Sequence, residues 1–359
     1  MKKAVIFDPY LDTLGGGERY IFTFAKVLLA NDYGVNIIWD DESIIQKAEN
    51  RFGLGLKRVS ILPKQRFLEK NLLKRFIFLR KYDLLFWVSD GSIPVMLSRK
   101  NILHFQVPFH NLNKKTHRFD KLKFKLINKV VCNSFFTKKI IDREYKIKSD
   151  VLYPPVDVEQ FRPGKKGNII LAVGRFEETM QAKRQDVLID VFKKMVDGGL
   201  TDWRLVLFGG SLTKEEDNSF LQKLKVQAQG YPIEFMVNAS FGQLKQAYSQ
   251  ARIFWHAAGF GIDERKEPER VEHFGMTTIE AMAAGCWPLV YNAGGQREIF
   301  SSFIDKNLVL WKEKNELFEK TMRVINSLNK NILHYNELVN LSNNFSIDSF
   351  SKKVYEILQ

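Results

Sequence analysis

The apolar positions of the chain form short runs that alternate with longer amphipathic segments. The run "KAVIFD", residues 3–8, leads through a glycine-containing loop into a segment with helical periodicity. Its apolar face is formed by Tyr20, Ile21, Phe24, Val27 and Leu28. Because "VNIIWD" follows as another short apolar run, the pattern predicts a strand–loop–helix–strand unit.

The same order recurs in the second half of the chain. There, "NIILAVGRF", "RQDVLIDVFKKMVDGG" and "RLVLFGG" predict a strand, a helix and a strand. Six more runs have the character of buried strands: "DLLFWVS", "KNILHFQ", "KVVCNS", "IEFMVN", "ARIFWHA" and "CWPLVYN". Strands that alternate with helices favour parallel sheets with crossover helices. We therefore expect an α/β protein with two Rossmann-like, doubly wound domains.

A segment rich in proline and glycine, "VLYPPVDVEQFRPGKKGN", lies between the two halves and has no periodic pattern. Such a segment is typical of a linker. We place a hinge at residues 161–166, a first domain at 1–162 and a second domain at 163–345. The amphipathic segment 346–359 predicts a last helix, which can pack back onto the first domain.

Composition supports a folded protein of this size. The 359 residues are 45% hydrophobic and 27% charged, which suits two domains. The two cysteines lie in apolar segments and are predicted to be reduced core thiols of a cytoplasmic protein. No apolar run approaches the roughly 18 residues of a membrane span, and the N-terminal run is too short for a signal peptide.

The positive charge is concentrated in the first half. Residues 1–163 hold 30 Lys and Arg against 17 Asp and Glu, whereas the rest holds 25 against 24. This asymmetry indicates an anionic partner, either nucleic acid or acidic lipid, or simply a lysine-rich surface. No nucleic-acid recognition motif accompanies it.

Residues 64–83, "KQRFLEKNLLKRFIFLRKYD", are the strongest local candidate for a basic surface that binds an anionic partner. They predict a basic amphipathic helix that can lie on a membrane, or a core helix with a solvated basic face. The residues named for membrane or acceptor contact are Lys70, Lys74, Arg75 and Phe76. Residues 114–129 are a second basic segment of the same kind.

Two loops after predicted strands combine glycine with positive charge or with a helix start. "LGGGERY" places Gly16 and Gly17 where backbone N–H groups can approach an anion, although a tight structural turn fits equally. "VGRFEETMQAKRQD" sets Gly174 and Arg175 after a strand and Lys183 before a helix. Two cations there suit a diphosphate, and a solvated loop is the alternative.

The stretch "EHFGMTTIEAMAAG" carries two carboxylates, Glu272 and Glu280, around the start of a predicted helix. Thr277 and Glu280 fit a capping box, which would make Glu280 a structural residue. The helix start also offers free N–H groups to an anion, and carboxylates accept hydrogen bonds from sugar hydroxyls. A ligand that carries both phosphates and sugars accounts for both features.

Together with Glu298 after "GGQR", and with "VVCNSFFTKKI" and "VLYPPVD", these stretches resemble the retaining glycosyltransferases of family 4. The mannosyltransferase-like members are the most similar, and the resemblance covers essentially the whole chain. It implies the GT-B fold, in which two Rossmann-like domains face a central cleft.

The resemblance also implies roles for individual residues of the second domain. Arg175 and Lys183 would neutralise the diphosphate of a nucleotide-sugar, with Arg184 as the alternative to Lys183. Glu280 would bind the ribose, and Glu272 would contact the transferred sugar. The donor-binding stretch would further include Gly174, Phe274, Gly275, Met276 and Thr277.

For the first domain, the resemblance implies that Gly16 and Gly17 approach the diphosphate or the acceptor. His104, at the end of "NILHF", would lie near the sugar, although packing in the core is an equal alternative. The catalytic set implied is therefore Glu272, Arg175, Lys183 and His104.

The implied reaction moves a hexose from a nucleotide-sugar to a lipid-linked or polysaccharide glycan, such as a lipopolysaccharide, with retention at the anomeric carbon. Mannose from GDP-mannose is favoured, and a UDP-sugar is the alternative donor. We expect no cofactor, no metal and no nucleic-acid partner, with peripheral binding to the anionic inner face of the membrane. The alternatives are another GT-B enzyme, such as a sugar-nucleotide epimerase or phosphorylase, or a basic nucleic-acid-binding protein.

Overall fold

The chain forms two compact units, each built on its own parallel sheet. A computed structural model describes residues 1–67, 71–110, 117–178, 181–211, 213–328 and 334–359. The first unit comprises Met1–Pro155 and Ile347–Gln359, and the second comprises Val156–Ser346. All strand pairings within the two sheets are parallel. The predicted α/β class with two parallel-sheet domains is confirmed.

The boundary between the units lies earlier than the predicted 162/163, because the proline-rich segment packs into the second unit. Phe161 is 1% exposed and stands edge-on to the rings of Phe241 and Tyr248. Lys166 donates to the carbonyl oxygens of Ala251, at 2.8 Å, and Ala284, at 2.6 Å. Residues 161–166, predicted as a hinge, are therefore part of the second core.

The first unit has a seven-stranded sheet in the order β3-β2-β1-β4-β5-β6-β7. Its strands are β1 (Lys2–Phe7), β2 (Tyr33–Ile38), β3 (Val59–Leu62), β4 (Leu84–Val88), β5 (Lys100–Phe105), β6 (Lys129–Cys132) and β7 (Asp150–Val151). Its helices are α1 (Gly16–Ala30), α2 (Ser43–Phe52), α3 (Lys64–Phe67), α4 (Leu72–Leu79), α5 (His117–Phe124) and α6 (Phe135–Tyr145). The C-terminal helix, named below, completes this unit.

The second unit has a six-stranded sheet in the order β10-β9-β8-β11-β12-β13. Its strands are β8 (Ile169–Val173), β9 (Arg204–Gly209), β10 (Ile233–Val237), β11 (Ile253–His256), β12 (Trp287–Tyr291) and β13 (Leu310–Trp311). Its helices are α7 (Gln185–Asp197), α8 (Ser219–Ala228), α9 (Phe241–Gln250), α10 (Met276–Ala283), α11 (Gln296–Ile299), α12 (Lys306–Val309), α13 (Lys314–Ser327) and α14 (Tyr335–Ser342).

The first sheet is buried on both faces, which explains why its strands are almost continuously apolar. Along β1, Ala4 and Ile6 join one hydrophobic core while Val5 and Phe7 join the other, since successive side chains of a strand point to opposite faces. The C-terminal helix α15 (Ile347–Leu358) contributes Phe350, Val354 and Ile357 to the first of these cores. The last helix thus packs on the first unit.

The basic segment 64–83 does not form the single helix that its periodicity predicts. It contains α3 and α4, and Lys70 lies outside the described residues. The N-cap of α4 is Asn71, whose side chain accepts hydrogen bonds from the N–H groups of Leu73 and Lys74, so that a new helix begins there. Among the described residues, no helix combines the length and the apolar character that crossing a bilayer requires.

Replacement of Phe350 by alanine tests whether α15 is an integral part of the first core. Phe350 is 4% exposed, and removal of a buried phenyl ring typically costs about 3–5 kcal/mol. We expect Phe350→Ala to lower the free energy of unfolding by that amount, measured by urea denaturation. The control on the same helix is Tyr355→Ala, because Tyr355 is 46% exposed and its loss should change stability only slightly. Equal effects of the two substitutions would contradict this packing.

Candidate active site

The loop before α10 is shaped by a glycine that no other residue can replace without strain. Gly275, the N-cap of α10, has a φ of +115°, in the region that disfavours L-residues. A Cβ atom at this position would lie 2.7 Å from Nε2 of Gln296, whose side chain is fully buried. Both constraints hold the preceding segment, residues 271–275, against the start of the helix.

Glu272, in this segment, is held by two basic side chains from other parts of the unit. Its Oε2 accepts a hydrogen bond from Nζ of Lys183 at 2.7 Å and lies 3.2 Å from Nε2 of His256. The three side chains are 14%, 19% and 3% exposed, respectively. A charged pair with so little exposure is screened weakly by water, so its geometry is held firmly.

Electrostatics keep the Glu272 carboxylate ionised. Burial alone raises its pKa, but the Lys183 ammonium and the hydrogen bond with His256 outweigh burial and hold the pKa of Glu272 well below its ordinary value. Burial lowers the pKa of His256, against the smaller upward effect of Glu272, which favours the neutral imidazole. The centre therefore offers an acceptor-only carboxylate at neutral pH.

Lys183 reaches Glu272 because the strand end beneath it is glycine. A Cβ atom on Gly174 would lie 2.4 Å from Cγ of Lys183, so only glycine at this position leaves room for the lysine side chain. Gly174 follows β8, and Lys183 precedes α7 by two residues. The structure thus brings Gly174 and Lys183 together, as residues at the carboxyl end of a parallel strand.

The other two cations near Lys183 are placed differently. Arg175 is half exposed, with Nη1 3.8 Å from the carboxylate of Glu177. Arg184 forms three hydrogen bonds of 2.8, 3.0 and 3.3 Å with the carboxylate of Asp186 and one of 2.6 Å with the carbonyl oxygen of Phe260. Because the guanidinium of Arg184 is held by Asp186 and Phe260 while Lys183 contacts Glu272, the geometry favours Lys183 as the cation of the site.

Glu280 is buried at the second turn of α10. It is 6% exposed, and its Oε2 accepts a hydrogen bond of 3.0 Å from the hydroxyl of Tyr248 on α9. The capping-box interpretation is wrong, because α10 begins at Met276 with Gly275 as N-cap, which places Thr277 inside the helix. The Thr277 carbonyl instead accepts from the same Tyr248 hydroxyl, at 3.2 Å.

The remaining residues of the predicted donor-binding stretch line the same turn. Phe274 is 3% exposed and contacts the ring of Phe345, with 5.4 Å between the centroids. Met276 and Thr277 are half-buried. Phe274 therefore acts on the site by packing, while the backbone of the first turn of α10 remains a candidate for binding an anion.

In the first unit, the predicted glycines lie at the start of α1. Gly16 is the first residue of the helix, and the Glu18 carboxylate accepts a hydrogen bond of 2.5 Å from the N–H of Gly15. Gly17 packs against Gln106, whose amide donates to the Gly17 carbonyl at 3.3 Å. A Cβ atom on Gly17 would lie 2.5 Å from Oε1 of Gln106, so a larger residue there would displace the end of that side chain.

His104 is a core residue, and packing was the alternative to a place beside the sugar. The side chain is fully buried in β5 and stacks on Tyr20 with 4.4 Å between the ring centroids. Burial lowers the pKa of His104 to about 3, and Nδ1 contacts the carbonyl oxygen of Val131 at 3.2 Å. The neutral imidazole is thus packed among aromatic rings, while its Nε2 has no hydrogen-bond partner among the described residues, so a role of His104 beside the sugar stays a prediction.

Three important side chains were missed by sequence reasoning: His256, Tyr248 and Gln296. Only His256 has a local signal, because it lies near the end of the strand run "ARIFWHA" and such strand ends face ligand crevices. Tyr248 and Gln296 contact α10 from elements that lie far from it along the chain, and no pattern within their own segments indicates this.

With this geometry established, residues 155–336, just over half of the chain, match the family "Glycosyl transferases group 1". The chain belongs to this family. A mouse GDP-Man:Man(3)GlcNAc(2)-PP-Dol alpha-1,2-mannosyltransferase is 28% identical over 187 residues, which are 47% of this chain and 35% of the mouse protein. The chain thus spans about a third of the length of this relative. The Dictyostelium discoideum protein of the same name is 21% identical over 81% of this chain and 72% of its own.

The fold is shared with solved glycosyltransferases. Anabaena HepE, solved in complex with UDP and glucose, has a TM-score of 0.73 and 16% identity over 100% of this chain and 99% of its own. The expected GT-B class with two Rossmann-like domains is confirmed at the level of the fold. The membership of family 4 stays a prediction within the broader group 1 family.

Gly275→Ala tests whether the loop before α10 depends on this glycine. We expect a loss of at least about 2 kcal/mol in unfolding free energy, because the substitution adds a left-handed backbone penalty to a clash with Gln296. Gly242→Ala on α9 is the matched control, since a Cβ there would meet nothing nearer than 3.8 Å. Thermal unfolding of both variants measures the difference, and equal stability of the two would refute the constraint.

Proposed function

We propose that this group 1 glycosyltransferase transfers a mannosyl group from GDP-mannose, with retention, to a lipid-linked or polysaccharide glycan. The observation that carries the proposal is the ionised Glu272, fixed by Lys183 and His256 beside the start of α10. Such a constellation suits a ligand with both hydroxyls and phosphates. The mannosyltransferase relatives support mannose and GDP within this class.

A UDP-sugar is the second candidate donor. The similar fold of Anabaena HepE, solved with UDP and glucose, favours it. Both candidate donors carry a diphosphate and a sugar, and the residues around Glu272 suit these two groups. The choice between them rests on contacts with the base.

In the proposed donor complex, Lys183 donates hydrogen bonds to both Glu272 and the diphosphate. Its ammonium has three donors, of which one is directed at Glu272, so the others can meet the diphosphate. Arg175, half exposed beyond β8, would supply the second cation, and the N–H groups at Gly275, Met276 and Thr277 would add hydrogen bonds. Glu272 would accept from hydroxyls of the transferred sugar, and Glu280, oriented by Tyr248, would accept from the ribose.

In the proposed mechanism, charge develops on the leaving diphosphate while the anomeric carbon gains oxocarbenium character. Fixed cations and helix N–H groups aimed at that charge lower the barrier without reorganisation. The departing phosphate oxygen would take the proton of the acceptor hydroxyl on the same face, which gives retention. No cofactor or divalent metal is required in this scheme.

We further propose that the enzyme binds peripherally to an anionic membrane on its cytoplasmic face. On α4, Leu73 and Ile77 are 67% and 54% exposed and lie beside Lys74 and the half-exposed Phe76. Exposed apolar side chains among lysines suit insertion at an anionic interface. Arg75 contributes less, because its guanidinium lies 5.8 Å from the ring of Trp87.

Substitutions of Glu272 and Glu280 should affect different constants, kcat for Glu272 and the donor Kd for Glu280. We expect Glu272→Gln to lower kcat by roughly 100-fold, because the contact strengthens in the transition state. We expect Glu280→Gln to raise the donor Kd roughly tenfold, because a charge-assisted hydrogen bond to the ribose is lost. Release of nucleoside diphosphate and a thermal-shift screen with GDP-mannose, UDP-glucose, ADP-glucose and dTDP-glucose measure the two effects.

Glu267→Gln is the matched control, because Glu267 pairs with Arg270 on an exposed part of the loop. A wild-type enzyme that binds none of these nucleotide-sugars would contradict the proposed function. Product analysis separates transfer from epimerisation or phosphorolysis. Loss of activity in EDTA and its restoration by magnesium would refute the metal-independent scheme.

Membrane binding should depend on the exposed apolar residues of α4. We expect the double substitution Leu73→Ser and Ile77→Ser to reduce co-sedimentation with vesicles that contain acidic lipid by at least about tenfold, since two side chains leave the interface. Val226→Ser is the control, because Val226 is 64% exposed on α8 of the second unit. Wild-type binding that is indifferent to lipid charge would rule out the proposal.

A further inference from the structure

We propose that the buried carboxylate of Asp8 binds a hydroxyl group of the sugar acceptor and so helps to select that acceptor. This inference rests on the glycosyltransferase function proposed above. It assigns to the first unit a recognition residue that the sequence analysis did not name.

Asp8 stands at the position where open α/β sheets bind ligands. It directly follows β1, which lies between β2 and β4 in the first sheet. From β1 the chain proceeds to β2 and β3 on one side and then returns to β4 on the other. Ligands bind outside the carboxyl ends of the strands at such a switch in topology.

The carboxylate is buried and only half satisfied. Asp8 is 2% exposed, and its Oδ1 accepts a hydrogen bond of 3.0 Å from the N–H of Tyr10. Within residues 1–67, 71–110 and the other described ranges, no donor is within hydrogen-bond distance of Oδ2, and no lysine or arginine forms an ion pair with Asp8. Oδ2 therefore has acceptor capacity that a ligand hydroxyl can use.

The charges around Asp8 indicate what kind of ligand fits. Burial is the main cause that raises the pKa of Asp8 to about 7; Glu18 and Asp12 add to it, and Lys64 opposes it. Lys64 is engaged elsewhere, with its ammonium 3.5 Å from the ring centroid of Trp39. Three carboxylates in one neighbourhood repel a phosphate and favour a neutral donor. A sugar hydroxyl is such a donor.

Tyr10 adds an apolar surface next to this acceptor. It is 54% exposed, although aromatic side chains of this size are usually buried. Sugars present hydroxyl edges and apolar faces, so a carboxylate beside an exposed ring matches their chemistry. The N–H of Tyr10 also fixes the orientation of the Asp8 carboxylate.

The ionisation of Asp8 makes acceptor binding depend on pH. Above about pH 7 the group is a carboxylate and accepts from the ligand, whereas below it the group is protonated. Affinity should therefore rise with pH across neutrality. The free energy of unfolding should instead fall as pH rises to about 7. A carboxyl group with a raised pKa in the folded state loses its stabilising effect as pH rises through that value.

The test compares the full-length wild type with Asp8→Asn and Asp12→Asn. The probe is octyl α-D-mannopyranoside, and its Kd is measured by saturation-transfer NMR at pH 5.5 and 8.5. We expect wild-type binding to be roughly tenfold tighter at the higher pH. Asp8→Asn should bind about tenfold more weakly at pH 8.5 and show no pH dependence. Asp12→Asn should bind the probe as tightly as the wild type at pH 8.5, because Asp12 is exposed. Its pH dependence should persist and shift only slightly toward lower pH, because the charge of Asp12 is a smaller cause of the raised pKa of Asp8 than burial.

Asp8→Asn should remain folded, because an isosteric neutral amide avoids a buried charge. Its melting temperature at pH 8.5 should equal or exceed that of the wild type. The thermal shift with nucleotide-sugars should be the same in all three proteins, so loss of that shift throughout would count against the proposed function alone. Equal probe binding by wild type and Asp8→Asn, or no saturable binding by wild type, would overturn the role of Asp8.

Discussion

The position of the candidate site in the second unit depends on one carboxylate that two basic side chains hold. Glu272 joins the loop before α10 to the loop before α7 through Lys183, and to the end of β11 through His256. The first two of these segments also meet where Nε2 of Gln181 lies 2.8 Å from Nδ1 of His273. Removal of one partner leaves a poorly solvated charge, which is far more costly than the pair itself is favourable. The interaction therefore fixes the position of the site more than it adds stability.

Glycines lie around Glu272 and Lys183 because the neighbouring atoms are too close for a larger residue. A Cβ on Gly294 would lie 2.0 Å from the carbonyl oxygen of Glu272, and one on Gly174 would strike Lys183. The N–H of Gly295 donates to the Glu272 carbonyl at 2.9 Å. Backbone packed this tightly leaves little freedom, so the carboxylate is preorganised for a ligand before one arrives.

Sequence reasoning succeeded where the relevant physics is local. Buried strands and amphipathic helices are set by the spacing of neighbouring residues, and the parallel sheets followed from their order. It left the role of His104 open, since a strand-end position does not reveal that Tyr20 of another element covers the ring. It failed for Thr277, because the positive φ of Gly275 moves the helix start by two residues, an effect of packing against Gln296. Both cases concern contacts between segments distant in the chain.

The return of α15 to the first unit has a consequence for the order of folding. Residues 156–346 can complete their own core as soon as they have left the ribosome, because every strand of their sheet lies within that range. The first core contains Ile357 and is finished only after the whole second unit has been synthesised. The half synthesised first is thus the half completed last, and its apolar surface under α15 stays open throughout synthesis of the second unit. A chain that stalls before residue 347 would present this surface to chaperones.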